Sequence, residues 1–360
     1  MTERSVYAVI MAGGSGTRFW PASRRARPKQ LLPLGGGEAL VREAVARVTP
    51  LCGTANVYIA TGRHLVEATG AVLPELQPEQ LLAEPVPRNT APCIGWAVAT
   101  IARRDPDAVV MALPSDTHIR DLEGYQGCLR TAIAEARSGV ITTIGIEPTH
   151  PETGFGYIEA DPGAGPVLTV KRFVEKPDLE RAKQFLASGN FFWNAGMFIF
   201  RARDMLAAIE THLPELAAGL SELDDAAARG QEAHILDDVF ARLPAVSIDH
   251  GVMEHIAKLS VVPGRFGWSD LGSWLAAGEL ATKDGEGNAA PDGTVVIDGR
   301  DNLVVDMRSG QAKRVVALVG VSNLVVVETD DALLVVEREA SQRVGQVVQA
   351  LKDRGDDDLV

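Results

Sequence analysis

The stretch that decides the fold is Val6-Tyr7-Ala8-Val9-Ile10-Met11-Ala12-Gly13-Gly14-Ser15-Gly16-Thr17-Arg18-Phe19-Trp20-Pro21, which continues to Pro28-Lys29-Gln30. An apolar run without strict alternation ends at a glycine-rich turn, and this pattern predicts a buried strand over residues 6–12. The glycines permit positive φ angles and the close approach of a phosphate, so the N–H groups of the turn can form an anion-binding nest. Arg18 and Lys29 would add two positive charges to that nest.

This glycine turn differs from two well-known phosphate-binding loops. A P-loop requires Gly, any four residues and then Gly-Lys-Ser/Thr, and the sequence contains no such run. A dinucleotide-binding fingerprint requires a third glycine three residues after Gly16, where Phe19 stands. From its glycines alone, the turn could equally end a strand and bind nothing, so the other motifs of the chain have to decide.

Composition excludes several classes of protein. The 360 residues carry a formal net charge of −13, whereas a general nucleic-acid binder shows a basic face. Three cysteines, Cys52, Cys93 and Cys128, are widely spaced, which predicts reduced thiols rather than a zinc site or a disulfide framework. The apolar run at 6–12 is too short to cross a membrane. We therefore expect a cytoplasmic protein that binds neither nucleic acid nor membranes.

Strand-like and helix-like segments alternate through the first two thirds of the chain. The predicted strands cover residues 6–12, 56–60, 80–83, 108–113 and 141–146, and the predicted helices cover 38–48, 64–73, 91–103 and 122–137. This alternation indicates βαβ units and an α/β fold with a mostly parallel, Rossmann-like sheet. Ligands of such sheets bind outside the carboxyl ends of the strands, where the glycine turn and the segment after Leu113 are expected to lie.

The later part of the chain changes character twice. A helical stretch from 203 to about 258 carries charges typical of solvated helix faces. The clearest linker spans 284–293, so we place a catalytic domain at 1–285 and a second domain at 286–360. Short aliphatic strands then recur every eight to twelve residues or so, which predicts a small all-β unit. A final helix at about 340–352 precedes an acidic tail that we expect to fray.

Two aspartates occupy positions suited to a metal ion. Asp116 follows a predicted buried strand within Leu113-Pro114-Ser115-Asp116, and Asp270 lies within Gly267-Trp268-Ser269-Asp270-Leu271-Gly272. Mg²⁺ prefers one or two carboxylates together with phosphate oxygens and water, so a carboxylate at this strand end is placed to hold it against a phosphate. The alternative is structural, because Asp116 could stabilise a turn and Asp270 could cap the helix expected from about residue 272.

A second group of residues has the chemistry to bind a sugar phosphate. Glu175 can accept hydrogen bonds from hydroxyl groups and Lys176 can neutralise a phosphate monoester, although such a pair alone is more typical of a solvated sheet edge. Gly154 belongs to a turn whose backbone can approach a sugar. Asn194 is an amide among apolar residues and could bind hydroxyls.

The segment Glu84-Pro85-Val86-Pro87-Arg88-Asn89-Thr90 predicts a rigid loop that opens a helix. Its backbone and the side chains of Arg88, Asn89 and Thr90 could read the edge of a purine base. The sequence does not assign individual atoms of the base to individual residues.

The order of these motifs resembles the signature of the nucleotidyltransferases that make nucleoside-diphosphate sugars from sugar 1-phosphates. The resemblance rests on the glycine turn, Trp20-Pro21 and Pro28-Lys29-Gln30, and it extends over residues 5–337. The runs Arg18-Phe19-Trp20-Pro21 and Arg88-Asn89-Thr90-Ala91-Pro92 look most like the mannose-1-phosphate guanylyltransferase branch. Leu271 replaces the valine usual in that family, a change that alters no ligand.

The resemblance implies transfer of GMP from GTP to α-D-mannose 1-phosphate, giving GDP-mannose and pyrophosphate. It implies Mg²⁺ on Asp116 and Asp270, with Arg18, Lys29 and Lys176 as catalytic residues. The implied nucleotide-binding residues are Ala12, Gly13, Gly14, Ser15, Gly16, Thr17, Arg18, Lys29, Arg88, Asn89, Thr90, Ser115 and Asp116. The implied sugar-phosphate-binding residues are Gly154, Glu175, Lys176, Asn194 and Asp270.

The family also implies a C-terminal left-handed β-helix and an assembly that we expect to be a homodimer. Some relatives carry an isomerase domain after the β-helix, and this chain is expected to be monofunctional. Two alternatives stay open at this stage. One is the same chemistry with another nucleotide or sugar, such as thymidylyl or uridylyl transfer. The other is a non-catalytic nucleotide-sugar sensor on the same fold, although such a protein has no need of Lys29, Asp116, Lys176 and Asp270 together.

Overall fold

A computed structural model describes residues 5–14, 16–34, 37–161, 163, 165–310 and 314–360. The chain forms two compact units, each assembled from separate segments. Unit 1 comprises Met1–Gly13, Ala44–Ser115 and Ile119–Trp268, and unit 2 comprises Gly14–Glu43, Asp116–His118 and Ser269–Val360. The domain boundary expected at residue 285 stays a prediction.

Strands and helices alternate along the chain, as the sequence predicts. The strands are β1 Val6–Ala12, β2 Val57–Gly62, β3 Leu81–Glu84, β4 Val109–Pro114, β5 His118–Ile119, β6 Ile141–Ile146, β7 Tyr157–Ala160, β8 Leu168–Val174, β9 Phe191–Arg201, β10 Leu259–Gly264, β11 Trp268–Ser269, β12 Val295–Ile297, β13 Leu303–Asp306, β14 Ala317–Val319, β15 Leu324–Glu328 and β16 Leu333–Glu337. The helices are α1 Leu40–Cys52, α2 Val66–Val72, α3 Thr90–Ala102, α4 Leu122–Arg137, α5 Leu179–Ser188, α6 Ala202–His212, α7 Pro214–Ala228, α8 Glu232–Arg242, α9 Trp274–Leu280 and α10 Gly345–Arg354. None of the helices in the described part of the chain is both long and apolar enough to cross a membrane.

A nine-stranded sheet forms the centre of unit 1, in the order β3-β2-β1-β4-β9-β6-β10-β8-β7. Its first four strands are parallel, which confirms the predicted α/β fold with βαβ connections. Strand β9 is antiparallel to both β4 and β6, so the sheet is mixed beyond β4. The sequence of β9 alone did not give its direction, because period and composition do not distinguish the two pairings.

The parallel strands bring several predicted motifs to one edge of the sheet. Ala12 at the end of β1 pairs with Thr61, and Gly62 pairs with Glu84 at the end of β3. Met11 pairs with Pro114 at the end of β4. Since parallel strands end at the same edge, Gly13, the loop after Glu84 and Ser115 follow neighbouring strand ends.

Unit 1 buries its apolar residues on both faces of the sheet. Helix α3 is apolar on nearly all sides, with Ile94, Val98 and Ile101 fully buried, as expected of a helix inside a core. Asn89 starts this helix by accepting a hydrogen bond from Thr90 N–H, which satisfies one of its unpaired donors.

The predicted helical stretch at 203–258 is interrupted in the structure. It contains the helices α6, α7 and α8, then a non-helical segment and a short π-helical turn at Asp249–Met253. Leu243 ends α8 with extended backbone angles. The charges of this stretch are therefore not all on solvated helix faces, and those of the π-helical turn lie beside predicted site residues.

Unit 2 contains the C-terminal strands and the segment that follows Gly13. Its core combines Phe19, Trp20 and Leu32 with Trp274, Val325 and other apolar residues of the C-terminal part. Strand β12 pairs in parallel with β14 and β13 with β15, each at an offset of 22 residues. Parallel stacking at a constant offset is the pattern of a coiled β structure, whereas the sequence pattern alone predicted only short strands.

Buried amides connect successive turns of this coil. Asn302 donates a side-chain hydrogen bond to Asn288 Oδ1 at 3.0 Å, and Asn288 donates to the Gly299 carbonyl at 3.1 Å. The acidic tail, expected to fray, instead forms a short 3-10 turn at Asp357–Leu359. Trp20 of the same unit donates a hydrogen bond from its indole N–H to the Leu359 main-chain carbonyl.

Candidate active site

Gly16 brings the glycine turn against Lys29. Its φ of +60° lies in the left-handed region that favours glycine, and a Cβ at this position would lie 2.5 Å from the Lys29 Cβ. Ser23 Oγ donates a 2.7 Å hydrogen bond to the Gly16 carbonyl. The turn and Lys29 are therefore in fixed contact, which only a residue without a side chain allows.

Lys29 links the two aspartates that the sequence selected. Its Nζ donates to Asp116 Oδ2 at 2.8 Å and to the Asp270 main-chain carbonyl at 2.6 Å. The lysine is 6% exposed, while the Asp116 side chain is 40% exposed. Three motifs far apart in sequence thus meet within unit 2, with a buried ammonium group beside a half-exposed carboxylate.

The Asp270 carboxyl group is not the cap of the following helix. Ser273 has that role, since its hydroxyl accepts a hydrogen bond from Ala276 N–H at the start of α9. Asp270 Oδ1 accepts from Gly272 N–H at 3.2 Å, and the intervening Leu271 has a φ of +48°. Left-handed angles at a residue other than glycine are costly and are concentrated at functional sites.

Burial and charge act in opposite directions on Asp270. Burial raises the pKa of this carboxyl above its usual value, and the charges of Lys29 and Arg18 oppose that shift. Asp116 adds a smaller increase because its own negative charge is near. Asp116 and Asp270 are therefore close enough to interact electrostatically, as two ligands of one ion would be.

The guanidinium of Arg18 lies at the surface of unit 2. One of its nitrogens donates to Gln342 Oε1 at 2.9 Å, and among the described residues no hydrogen bond of its other donors is seen. The neighbouring Trp20 donates to the Leu359 carbonyl at 2.8 Å and accepts, at its own carbonyl, from Trp274 Nε1 at 3.0 Å. Residues of the C-terminal part thus fix the segment that carries Arg18.

The other predicted nucleotide-loop residues are divided between the two units. Ala12 accepts a hydrogen bond from Thr61 Oγ1 at 3.0 Å, and Gly13 and Gly14 are exposed. Thr17 begins a 3-10 turn, and Ser115 is buried with its N–H donated to the Met11 carbonyl. Ser15, predicted to belong to the same loop, lies outside the described residues.

The loop after β3 opens helix α3, as the sequence predicts. Arg88 donates from Nε to the Phe240 carbonyl at 2.9 Å and from Nη2 to the Ala241 carbonyl, so its guanidinium binds the end of α8. Thr90 Oγ1 accepts from Ile248 N–H at 2.9 Å. Arg88 and Thr90 therefore anchor the loop, and their predicted contacts with a base stay predictions.

Glu84 is a buried carboxyl group at the start of this loop. Burial raises its pKa to about 7, and the nearby Cys93 thiol partly opposes the shift. Its Oε1 has no hydrogen-bond partner among the described residues, and a Cβ on Gly13 would lie 3.9 Å from its Oε2. A buried oxygen without a partner beside the glycine turn is an unusual and costly feature.

Of the predicted sugar-phosphate-binding residues, Glu175, Lys176 and Asn194 lie near one another within unit 1, whereas Asp270 belongs to unit 2. Glu175 is nearly buried, and its Oε1 lies 3.2 Å from the Nζ of the exposed Lys176. Lys176 has a φ of +44°, a left-handed angle at a residue other than glycine. A Cβ on Gly156 would lie 2.5 Å from Glu175 Oε2, so the glycine leaves room for the carboxylate.

Asn194 is oriented by several partners. Its main-chain N–H donates to the Gly156 carbonyl at 2.8 Å, and its Oδ1 accepts from Gly196 N–H at 3.1 Å. Its Nδ2 donates to Asp249 Oδ1 at 2.8 Å. Gly154 lies on a separate turn that is closed by a 2.7 Å hydrogen bond from its N–H to Glu152 Oε1.

Sequence reasoning missed three carboxyl groups, Glu84, Asp249 and Glu254. The sequence pattern places Glu84 in a rigid loop and the other two among the solvated charges of a helical stretch. Burial raises the pKa of Asp249 to about 6, and the negative charge of Glu175 adds to the shift. The available signal was an acidic residue on each side of the apolar pair Val252-Met253, which is too weak to separate a buried carboxyl from a surface one.

The described residues contain no group of three or more His, Cys, Asp or Glu side chains arranged to hold a metal ion. Asp116 and Asp270 are a pair, and a pair of carboxylates fits Mg²⁺ in sites where substrate phosphates complete the coordination. The three cysteines are free thiols.

The geometry agrees with the comparisons to known proteins. A sequence profile described as Nucleotidyl transferase matches residues 7–286, and a profile described as MannoseP isomerase/GMP-like beta-helix domain matches residues 292–351. The chain belongs to the nucleotidyl transferase family.

Individual proteins of this family are similar to nearly the whole chain. The chain is 40% identical over 352 residues to the xanthan biosynthesis protein XanB of Xanthomonas campestris pv. campestris, covering 97% of this chain and 74% of that protein. It is 36% identical over 372 residues to the mannose-1-phosphate guanylyltransferase of Escherichia coli K12, covering 99% and 75%. A crystal structure titled mannose-1-phosphate geranyltransferase, from Thermus thermophilus, aligns with a TM-score of 0.86 at 35% identity, covering 97% and 99%.

Proposed function

We propose that the chain transfers GMP from GTP to α-D-mannose 1-phosphate and releases pyrophosphate. The proposal is supported by relatives named mannose-1-phosphate guanylyltransferase and by the match to both profiles. A phosphate oxygen of the sugar 1-phosphate attacks the α-phosphorus of GTP in line, a new P–O bond forms, and the bond to pyrophosphate breaks. The attacking oxygen is already anionic, so the reaction needs no general base, and catalysis rests on positioning and charge stabilisation.

The observation that carries the proposal is the contact of Lys29 with Asp116 and with the Asp270 carbonyl. An ammonium group held beside two aspartates is suited to polyphosphate, whose charge it offsets. The glycine turn would direct N–H groups at the phosphates, and Arg18 would use the donors that Gln342 does not occupy.

Proteins of this kind generally act with a divalent metal, and we assign Mg²⁺ to Asp116 and Asp270. Carboxylate oxygens are the ligands that Mg²⁺ prefers, and the charge of Asp116 acts on Asp270, so the two groups lie near each other. The ion would supply positive charge to the phosphate oxygens. The hydrogen bond from Lys29 would hold the Asp116 carboxylate in place for it.

Lys176 would bind the phosphate of the sugar, and Glu175 and Asn194 would bind its hydroxyl groups. Lys176 is exposed and Glu175 nearly buried, so the pair can present a mobile charge beside a fixed acceptor. The main chain at Gly154 would complete the contacts to the sugar.

Glu84 would read the base. Guanine presents two adjacent donors, N1–H and the N2 amino group, and a carboxylate is the acceptor that matches both. Glu84 Oε1, which has no partner among the described residues and belongs to a carboxyl group near Gly13, supports this role. Arg88, Asn89 and Thr90 would act by holding the loop, since their side chains already bind neighbouring backbone groups.

A homodimer would use the outer face of the β12–β14 pair. Val295, Ile297 and Val319 are 44%, 50% and 62% exposed, and they point to the same side because alternate residues of a strand share a face. Exposed apolar patches of this kind mark protein contacts. The expected cytoplasmic location and the absence of nucleic-acid binding stay predictions.

A pyrophosphate-release assay tests the proposed function. The protein is incubated with Mg²⁺, each of GTP, ATP, UTP and dTTP in turn, and mannose 1-phosphate or glucose 1-phosphate. The expected result is fastest release with GTP and mannose 1-phosphate. Fastest release with another pair would assign a different nucleotide-sugar synthesis, and no release with any pair would favour the non-catalytic sensor.

A further inference from the structure

One turn in unit 1 contacts three of the predicted motifs. The segment 246–254 accepts Ala91 N–H at the Val246 carbonyl at 3.1 Å and donates Ile248 N–H to Thr90 Oγ1 at 2.9 Å. Both hydrogen bonds connect this segment to the first residues of helix α3. The same segment then continues into the π-helical turn that carries Asp249 and ends at Glu254.

Asp249 fixes the side-chain amide of Asn194. The Asn194 side-chain carbonyl accepts from Gly196 N–H, so its amino group is the part that faces Asp249. The amide nitrogen carries two hydrogens, and one of them forms the hydrogen bond to Asp249. Among the described residues no second acceptor for this nitrogen is seen, which leaves one donor available to a sugar hydroxyl.

Glu254 fixes the main chain of the neighbouring motif. Its Oε1 accepts from Glu175 N–H at 3.1 Å, and its Oε2 lies 3.1 Å from His250 Nδ1. Glu175 is followed by Lys176, whose φ of +44° lies in the left-handed region. Glu254 therefore holds the main chain at Glu175, one residue before the lysine expected to bind the sugar phosphate.

The charges around this turn favour a positioning role. Glu175 and Lys176 both act electrostatically on Asp249, in opposite directions. His250 is exposed on the same turn and pairs with Glu254. Asp249 therefore orients Asn194 through a hydrogen bond and interacts with Glu175 and Lys176 through its charge.

We propose that Asp249 and Glu254 are positioning residues for the sugar 1-phosphate, which orient Asn194 and the Glu175–Lys176 segment. This inference rests on the proposed function. It adds a second layer of carboxylates behind the predicted sugar-binding residues, and it assigns to the segment 246–254 a role that the sequence did not indicate.

The test compares Asp249→Ala, Asp249→Asn, Glu254→Ala and Glu254→Gln with the wild type. Asn and Gln keep an acceptor oxygen, whereas Ala removes it. The expected result is a rise of about tenfold in KM for mannose 1-phosphate in both Ala variants, consistent with the loss of one hydrogen bond to a charged group. The KM for GTP should stay within about twofold, and the Asn and Gln variants should recover most of the affinity.

Thermal unfolding and a matched control separate positioning from folding. Glu222→Ala removes an exposed carboxylate that pairs with Arg242, and it should leave both KM values unchanged. If one Ala variant does not fold, the other tests the inference alone, because the two carboxylates contact different motifs. Equal increases in both KM values, or KM values like the wild type in the Ala variants, would overturn the inference. The proposed function fails separately, when the wild type itself releases no pyrophosphate.

Discussion

Lys29 Nζ donates a 2.8 Å hydrogen bond to Asp116 Oδ2, across 87 residues of sequence, and the same ammonium group reaches the Asp270 carbonyl at 2.6 Å. The lysine is buried and the aspartate half exposed. This arrangement places a fixed positive charge at the point where the glycine turn, the segment after β4 and the segment before α9 contribute residues to unit 2.

Replacing Lys29 with methionine should lower kcat by about 10²- to 10³-fold, as removal of one preorganised charge does elsewhere. Methionine preserves most of the apolar stem, so the chain should still fold. Lys183→Met is the control, because Lys183 is exposed and pairs with Glu180 on α5. Steady-state kinetics and circular dichroism provide the measurements, and a kcat within about threefold of the wild type would remove Lys29 from the catalytic residues.

Gly16→Ala should reduce both stability and activity. The new Cβ would clash with Lys29 Cβ, and alanine is strained at a φ of +60°. We expect a loss of about 1–3 kcal/mol in the free energy of unfolding and at least a roughly tenfold loss of kcat/KM for GTP.

Gly285→Ala is the matched control for that substitution. A Cβ at Gly285 would have no atom within 4 Å in the part of the chain that the structure describes, and Gly285 is not a predicted site residue. Urea unfolding and pyrophosphate release should therefore place Gly285→Ala near the wild type. Equal defects in both variants would mean that the loss does not come from the contact of Gly16 with Lys29.

Asp270→Asn should raise the Mg²⁺ concentration that gives half-maximal rate by about tenfold, because one charged ligand becomes neutral. The helix α9 should persist, since Ser273 caps it. Burial raises the pKa of Asp270, so removing this charge should not lower the melting temperature. A Mg²⁺ titration of initial rates tests the ligand assignment, and an unchanged Mg²⁺ requirement would contradict it.

Glu84→Gln should change how stability depends on pH. Burial raises the pKa of Glu84 from 4.5 to about 7, so the folded protein holds a proton between these values that the unfolded chain has already lost. Rising pH therefore favours unfolding across this window, by up to about 3 kcal/mol. Glutamine does not ionise and removes this dependence.

The measurement is the melting temperature of Glu84→Gln minus that of the wild type, at about pH 5 and about pH 8, on either side of the titration. The difference should be larger at the higher pH, because only the wild type then has to bury a carboxylate. The glutamine side chain does not ionise, so its own effect on the melting temperature is the same at both pH values. That effect cancels when the two differences are compared. Glu79→Gln, on the 3-10 turn before β3, provides an exposed control. A difference that does not vary with pH would show that Glu84 titrates normally.

Much of the fold could be predicted because local patterns decided it. Strand β1 and helix α4 begin and end where the pattern of apolar residues predicted. The direction of β9 and the break after α8 depend on pairing with distant residues, which a local pattern does not contain. The same limit explains the acidic tail, where the contact of Leu359 with Trp20 overrides a sequence that is typical of frayed ends.

The candidate site likewise contains some residues that the sequence can select and others that it cannot. Residue type and motif order are enough to select Lys29, Asp116 and Asp270, and the structure brings them together within unit 2. They do not select Asp249 and Glu254, because the importance of these two depends on their positions beside Asn194 and Glu175. The guanidinium of Arg88 binds carbonyls at the end of α8, and its expected contact with a base stays a prediction.

The hydrogen bond from Trp20 to Leu359 spans 339 positions of the chain. At a synthesis rate of about 5–20 residues per second, Trp20 is made roughly 20–70 s before its partner. During that time the segment that carries Arg18 lacks one of the contacts that hold it in the folded protein. The order of that segment therefore depends in part on a residue that is synthesised much later.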